Sequence, residues 1–396
     1  MTMAAAIEDR TANTNTWSKA GRIAGIDIVH DLAAAESVWR SLEAGPTSFT
    51  PYQRFDFLSA WQRQVGEREG FAPFIVIGYD AERRPLLLLP LALKQAYGAR
   101  CAGFMGGKHS TFNMALFDRD FAASATLADL EGLMALIAQR SEADVLTLHQ
   151  QPLRWRDLPN PLALLPHQPA ANDCPLLVME PGAAPAALVS NSFRRRLKGK
   201  ERKLQSLPGY CSHVASSEAD IVRLLDWFFQ IKPLRMAEQK LPNVFADPGI
   251  EEFVRSACTA PLAGGGHAID IHALECDEEV IAIFAGVADG NRFSMMFNTY
   301  TMSAHSKYSP GLILMRDIID HYAAKGYRAL DLGIGSDDYK RLFCKDDEPI
   351  FDSFIPLSQR GKLAASIMSG HNRTKRLVKH NPALFEMAQK LRSAFS

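Results

Sequence analysis

Twice along this 396-residue chain the apolar residues change period in the same order, from helical spacing to strand spacing and back again. In the first round Phe55, Leu58, Trp61 and Val65 recur at helical spacing after Pro51. Residues 74–79 and 85–93 then form apolar, β-prone runs either side of the polar turn 80–84, which predicts a hairpin. Leu127, Leu130, Met134 and Ile137 mark a helix that feeds a short buried strand at 145–148. The second round repeats this order without visible sequence identity. Ile221, Leu224, Leu225 and Phe228 form a helical stripe, and Asp247 with Pro248 predicts the N-cap of the next helix. Residues 268–274 and 280–287 flank an acidic turn, and 292–300 reads as a third strand. Ser309 and Pro310 open a helix, and 329–332 returns as a buried strand. Such alternation predicts an α/β fold with an α+β mixed sheet, present twice.

The length agrees, because one hydrophobic core rarely organises so long a chain. The reading divides it into a disordered lead over 1–20, an N-terminal domain over 21–175, a C-terminal domain over 176–360 and a basic helical tail over 361–396. The Pro- and Ala-rich stretch with Pro175, Pro181 and Pro185 marks the passage between the halves. Lys+Arg and Asp+Glu both number 44, so no global field draws nucleic acid or anionic lipid, and any phosphate must be met by a local cluster. The six cysteines are scattered and never form C-x-x-C, which argues against a disulfide framework or a zinc knuckle and suits a reducing cytoplasm. No metal is expected. The polar N-terminus carries Glu8 and Asp9 rather than an export signal, and no apolar run approaches the roughly 20 residues of a membrane span.

Three local motifs carry chemistry. Residues 192–204, S-F-R-R-R-L-K-G-K-E-R-K-L, read as a helix docked by Phe193, Leu197 and Leu204, with Arg194, Arg195 and Lys198 among the bases on its other faces. Two readings stay open: a solvated charge run, or a face for an anionic partner. The run Y-S-P-G-L-I-L at 308–314 sets a helix N-terminus where backbone N–H groups and the helix dipole suit a pyrophosphate, and an ordinary cap with nothing bound is the other reading. The run L-D-L-G-I-G at 330–335 is neither a methyltransferase loop, since too little chain follows, nor a dinucleotide fingerprint, since Asp338 stands where a third glycine belongs. The loop 103–110 likewise fails as a P-loop, and no G-x-S-x-G elbow or metal-spaced His pair occurs. His109, with Ser110 and Asn113, is at most a cleft-lining residue.

In this order and spacing the basic helix, S-P-G-L-I-L and D-L-G-I-G followed by Tyr339-Lys340 resemble the GNAT-fold acyltransferase domain of CelD-type cellulose-biosynthesis proteins, relatives of the FemAB peptidyltransferases. The resemblance spans roughly 174–357, and P-Y-Q-R-F-D-F-L-S-A-W at 51–61 resembles the family's N-terminal half. It implies two tandem GNAT-like domains, each a V-shaped splayed sheet, and an enzyme that moves an acyl group, typically acetyl, from acyl-CoA to an amine or hydroxyl of a small-molecule or saccharide acceptor. The pyrophosphate would lie at Ser309, Pro310, Gly311 and Leu312, although only Gly311 remains of the family's alternating glycines. Asp331 is expected as base or orienter, Tyr339 as proton donor to the leaving thiolate, Lys340 as a phosphate contact, and Phe297 and Tyr300 as the acceptor groove. FemAB relatives take their donor from aminoacyl-tRNA, and the cationic helix suits that alternative as well. A non-catalytic module of polysaccharide export is the third reading.

Overall fold

The computed structural model describes residues 21–262, 264–335, 338–381 and 384; the expected N-terminal lead and the end of the basic tail lie outside them. The chain forms two compact units, one of residues 1–55, 69–173 and 349–396, the other of residues 56–68 and 174–348. In the first unit, β1 (Gly25–Val29) and α1 (Leu32–Ala44) precede the expected hairpin β2 (Ala72–Tyr79) and β3 (Pro85–Ala96). Then come β4 (Ala99–Phe104), α2 (Leu127–Arg140) and β5 (Val145–Pro152). Neighbours pair antiparallel except β4 with β5, which run parallel because α2 returns the chain across the sheet.

The second unit follows the same plan. It runs β6 (Cys174–Val178), the basic helix α3 (Asn191–Leu204), β7 (Cys211–Val214), α4 (Glu218–Glu238) and α5 (Ile250–Thr259). The hairpin β8 (Asp270–Glu275) and β9 (Val280–Ala288) leads to β10 (Arg292–Tyr300), α6 (Pro310–Ala324), β11 (Ala329–Asp331) and β12 (Asp346–Glu348). The sheet order is β7-β8-β9-β10-β11-β6-β12, and again the one parallel pair, β10 with β11, is joined by a helix. Helix α5 begins at Ile250 with Gly249, not Asp247, at its N-cap.

The assigned boundaries differ from those read in the sequence. Beside β11, the second sheet takes β6 from the start of its own segment. Beside β5, the first sheet takes β13 (Ile350–Pro356), which follows the whole second unit in sequence. Residues 349–381 therefore belong to the first unit rather than to a C-terminal domain and its tail, and residues 56–68 belong to the second. The expected tail is α7 (Gln359–His380), whose Ala364, Ala365 and Met368 bury against Ala99, Cys101 and Val145. At its first turn a Cβ on Gly361 would stand 1.7 Å from the Asp144 carbonyl oxygen. Gly361→Ala is therefore expected to destabilise the first unit by about 1–3 kcal/mol, as overpacking does. A shift in the urea midpoint, with unchanged slope, measures it.

Candidate active site

Strand β10 is the centre of the second unit. Only its first residues, Arg292 to Ser294, pair with β11. From Met295 to Tyr300 it pairs with β9 alone, because β11 ends at Asp331, and this stretch of β10 has one edge unpaired. A bulge interrupts the pairing with β9: Ala285 faces Phe297 but Gly286 faces Met295, leaving Met296 as the extra residue. A Cβ on Gly286 would meet the Ser294 carbonyl oxygen at 2.3 Å, so glycine alone permits the bulge. The extra residue also reverses which way the side chains face. Phe293 and Met295 pack with Ile313, Leu314 and Tyr322 of α6, whereas Phe297 packs on Phe228 and Phe245.

Helix α4 packs against β9 and β10. Lys232 reaches from α4 to donate a 2.9 Å hydrogen bond to the backbone carbonyl of Asn298. Its ammonium also lies 5.7 Å from the Phe245 ring centre. Burial, reinforced by the nearby Arg235 guanidinium, pulls the Lys232 amine down to about 8. The Asn298 side chain donates to the Tyr339 hydroxyl at 3.4 Å, so Lys232 and Tyr339 meet at the same residue of the open strand. Arg235 stacks 3.5 Å from the centre of the Tyr300 ring. The start of α6 adjoins this group: a Cβ on Gly311 would lie 3.6 Å from both Phe284 and Tyr300.

At that helix start, Ser309 adopts a left-handed backbone (φ 57°) and leaves the helix without a side-chain cap. Its hydroxyl instead accepts a 2.7 Å bond from Lys200 of α3. The basic helix and the Ser309–Leu312 turn, two separate motifs in the sequence, thus meet. Pro310 has no N–H, and Leu312 and Ile313 direct theirs to the Ser309 carbonyl. The amide of Gly311 is the first-turn donor with no backbone acceptor among the described residues. On α3, Arg194 is tied to Asp320 at 2.6 and 2.8 Å, while Arg195, Arg196, Lys198, Arg202 and Lys203 are exposed.

Other expected residues lie apart from this group. Asp331 is fully buried and accepts from Arg292 (2.8 Å), Ser294 and the Gly333 amide (3.1 Å). Lys340 is buried too, its ammonium bonded to the carbonyls of Gly333 and Ile334 at 3.2 and 3.1 Å, where it braces the loop. Phe297 is packed into the aromatic cluster rather than lining a groove. Conversely, Lys232, Arg235 and Asn298 were not singled out in the sequence. A lysine set within the aromatic and apolar run W-F-F-Q-I-K-P at 227–233 is the signal that could have found the first.

Residues 191–341 match the model of the acetyltransferase (GNAT) domain family. The second unit therefore carries a GNAT-type acetyltransferase domain, and the chain as a whole has the mixed α/β fold in two tandem copies. Among solved structures it is similar to FemX, with a TM-score of 0.54 at 8% identity over 85% of this chain and 98% of that one. It is also similar to the C-terminal domain of a proposed lysylphosphatidylglycerol synthetase from Agrobacterium fabrum, with a TM-score of 0.50 at 11% identity over 87% and 96%. At such identities these likenesses describe the fold. No curated protein matches the sequence significantly.

Proposed function

We propose that this chain is an acyltransferase that moves an acyl group from acyl-CoA to an amine or hydroxyl, with its reacting centre beside the unpaired edge of β10 in the second unit. The observation that carries this reading is the meeting of Lys232, Asn298 and Tyr339 on the unpaired part of β10, next to the start of α6. The Gly311 amide, the helix dipole and Lys200 supply the positive end that a pyrophosphate needs. With an acceptor beside that edge, neutral Lys232 takes its proton, the acceptor N or O attacks the thioester carbonyl, and the C–S bond then breaks. Tyr339 returns a proton to the departing thiolate. In this scheme Asp331 and Lys340 are positioning residues: one fixes the point where β11 ends beside β10, the other holds the loop before Tyr339. The CelD-like order of motifs supports a saccharide or envelope precursor as acceptor, and Tyr300 with Arg235 offers it a stacking and hydrogen-bonding wall. Free thiols at all six cysteines support a reducing, cytoplasmic setting, and among the described residues no helix is long and apolar enough to cross a membrane.

Calorimetry with acetyl-CoA tests the donor: micromolar binding supports the proposal. Tyr339→Phe should then lower the rate of thiol release with an amino-sugar acceptor about 10²-fold while leaving donor affinity within twofold. Equal turnover by both proteins would remove Tyr339 from the scheme. The exposed bases of α3 favour one second reading, a donor carried on tRNA. In that case acetyl-CoA does not bind, and tRNA affinity falls steeply with salt through counterion release. Absence of both would leave a non-catalytic module.

A further inference from the structure

On the edge of the second sheet, β7 pairs with β8 so that Cys211 lies directly opposite Glu275. His213 is two residues along β7, and strand periodicity brings it to the same face as Cys211. One ligand atom from each of Cys211, His213 and Glu275 lies within 4.8 Å of the others. Tetrahedral zinc holds such atoms roughly 3.5 Å apart, so modest side-chain rotation closes the set. The surroundings are arranged for it. Asp220, in the first turn of α4, lies 3.1 Å from Nε2 of His213. Oε1 of Glu275 lies 3.6 Å from Nδ1 of His213, the ring nitrogen left for a metal when Nε2–H donates to Asp220. This is the carboxylate–histidine support that metal-ligating imidazoles use. Arg223 donates to both oxygens of Glu275, Oε2 at 2.9 Å and Oε1 at 3.2 Å, and so fixes the orientation of the carboxylate. It also bonds Asp220 at 2.6 Å.

We propose that Cys211, His213 and Glu275 form a zinc site with a fourth position open to water, and that Asp220 positions His213. One thiolate, one carboxylate and one neutral imidazole balance the charge of Zn²⁺, and the thiolate selects zinc over the hard divalent ions. The ion would tie β7, β8 and, through Asp220, the start of α4, the helix that carries Lys232. The test uses the untagged full chain, stripped with chelator and titrated with Co²⁺. One equivalent should give the near-ultraviolet thiolate-to-cobalt band, and Zn²⁺ should displace it. Cys211→Ser, an exposed substitution, should abolish the band. Glu275→Gln and His213→Ala should weaken binding at least tenfold, and Asp220→Asn about tenfold with the band retained. Absence of a thiolate band in the wild-type chain, or a band that survives Cys211→Ser, overturns the site and identifies His213 as a partner of the two carboxylates only.

Discussion

Replacing Lys232 by methionine is expected to lower kcat/KM at least about 10²-fold, the usual loss when a positioned base is removed, with acetyl-CoA affinity unchanged within twofold. The pH profile carries the sharper expectation. An ordinary lysine amine titrates near 10.4. Burial of Lys232 disfavours its charged form, and the Arg235 guanidinium repels the same charge, so both effects act downward and the amine loses its proton near 8. A base works only when neutral. The wild-type rate should therefore rise about tenfold per pH unit below 8 and level off above it. Lys232→Arg keeps a cation that can bond the Asn298 carbonyl and face Phe245, but guanidinium does not deprotonate in proteins. It should be as inactive as the methionine variant. If the arginine protein retained half the wild-type rate, or the low-pH limb survived in it, Lys232 would be a cationic contact and not the base.

Why this residue escaped the sequence while its neighbours did not is a matter of range. The hairpins, the bounds of β10 and the start of α6 follow from period and capping, which act within ten residues. The buried stripe of Ile221, Leu224, Leu225 and Phe228 was read correctly for the same reason. Lys232 gains its meaning only from Asn298, and Cys211 only from Glu275, partners brought close by the sheet and not by spacing. The placement of β13 illustrates the same limit. Nothing local in I-F-D-S-F-I-P distinguishes pairing with β5 from pairing inside the second sheet. The bulge at Met296 was equally silent, and it reversed the facing of Phe297. Only the sharp demand for glycine at Gly286 hints at it.

Asp331 is legible in the sequence as a base or orienter at a strand end but not in its bracing role, and its replacement is expected to have the largest effect on stability. The carboxylate lies where β11 ends beside β10 and bonds to both sides of that point: Arg292 and Ser294 on β10, and the Gly333 amide just past β11. Arg292 is itself buried. Burial works against its charge, but Asp331 and then Glu348, bonded at 2.6 Å, outweigh that and hold the guanidinium firmly charged. Removing one partner of a buried ion pair leaves an uncompensated charge and costs about 3–5 kcal/mol. Because Glu348 remains, Asp331→Ala should fall near the lower end, about 3 kcal/mol. For a unit of this size that lowers the melting temperature by about 6–12 °C. Asp331→Asn keeps the shape and one acceptor oxygen, so it should melt between the two and, where folded, retain the Lys232-dependent pH limb. A catalytic base would behave in the opposite way: Asp331→Asn would melt like the wild type and lose its turnover. Thermal melts and pH profiles of the two variants therefore distinguish a brace at the end of β11 from a group that touches the substrate.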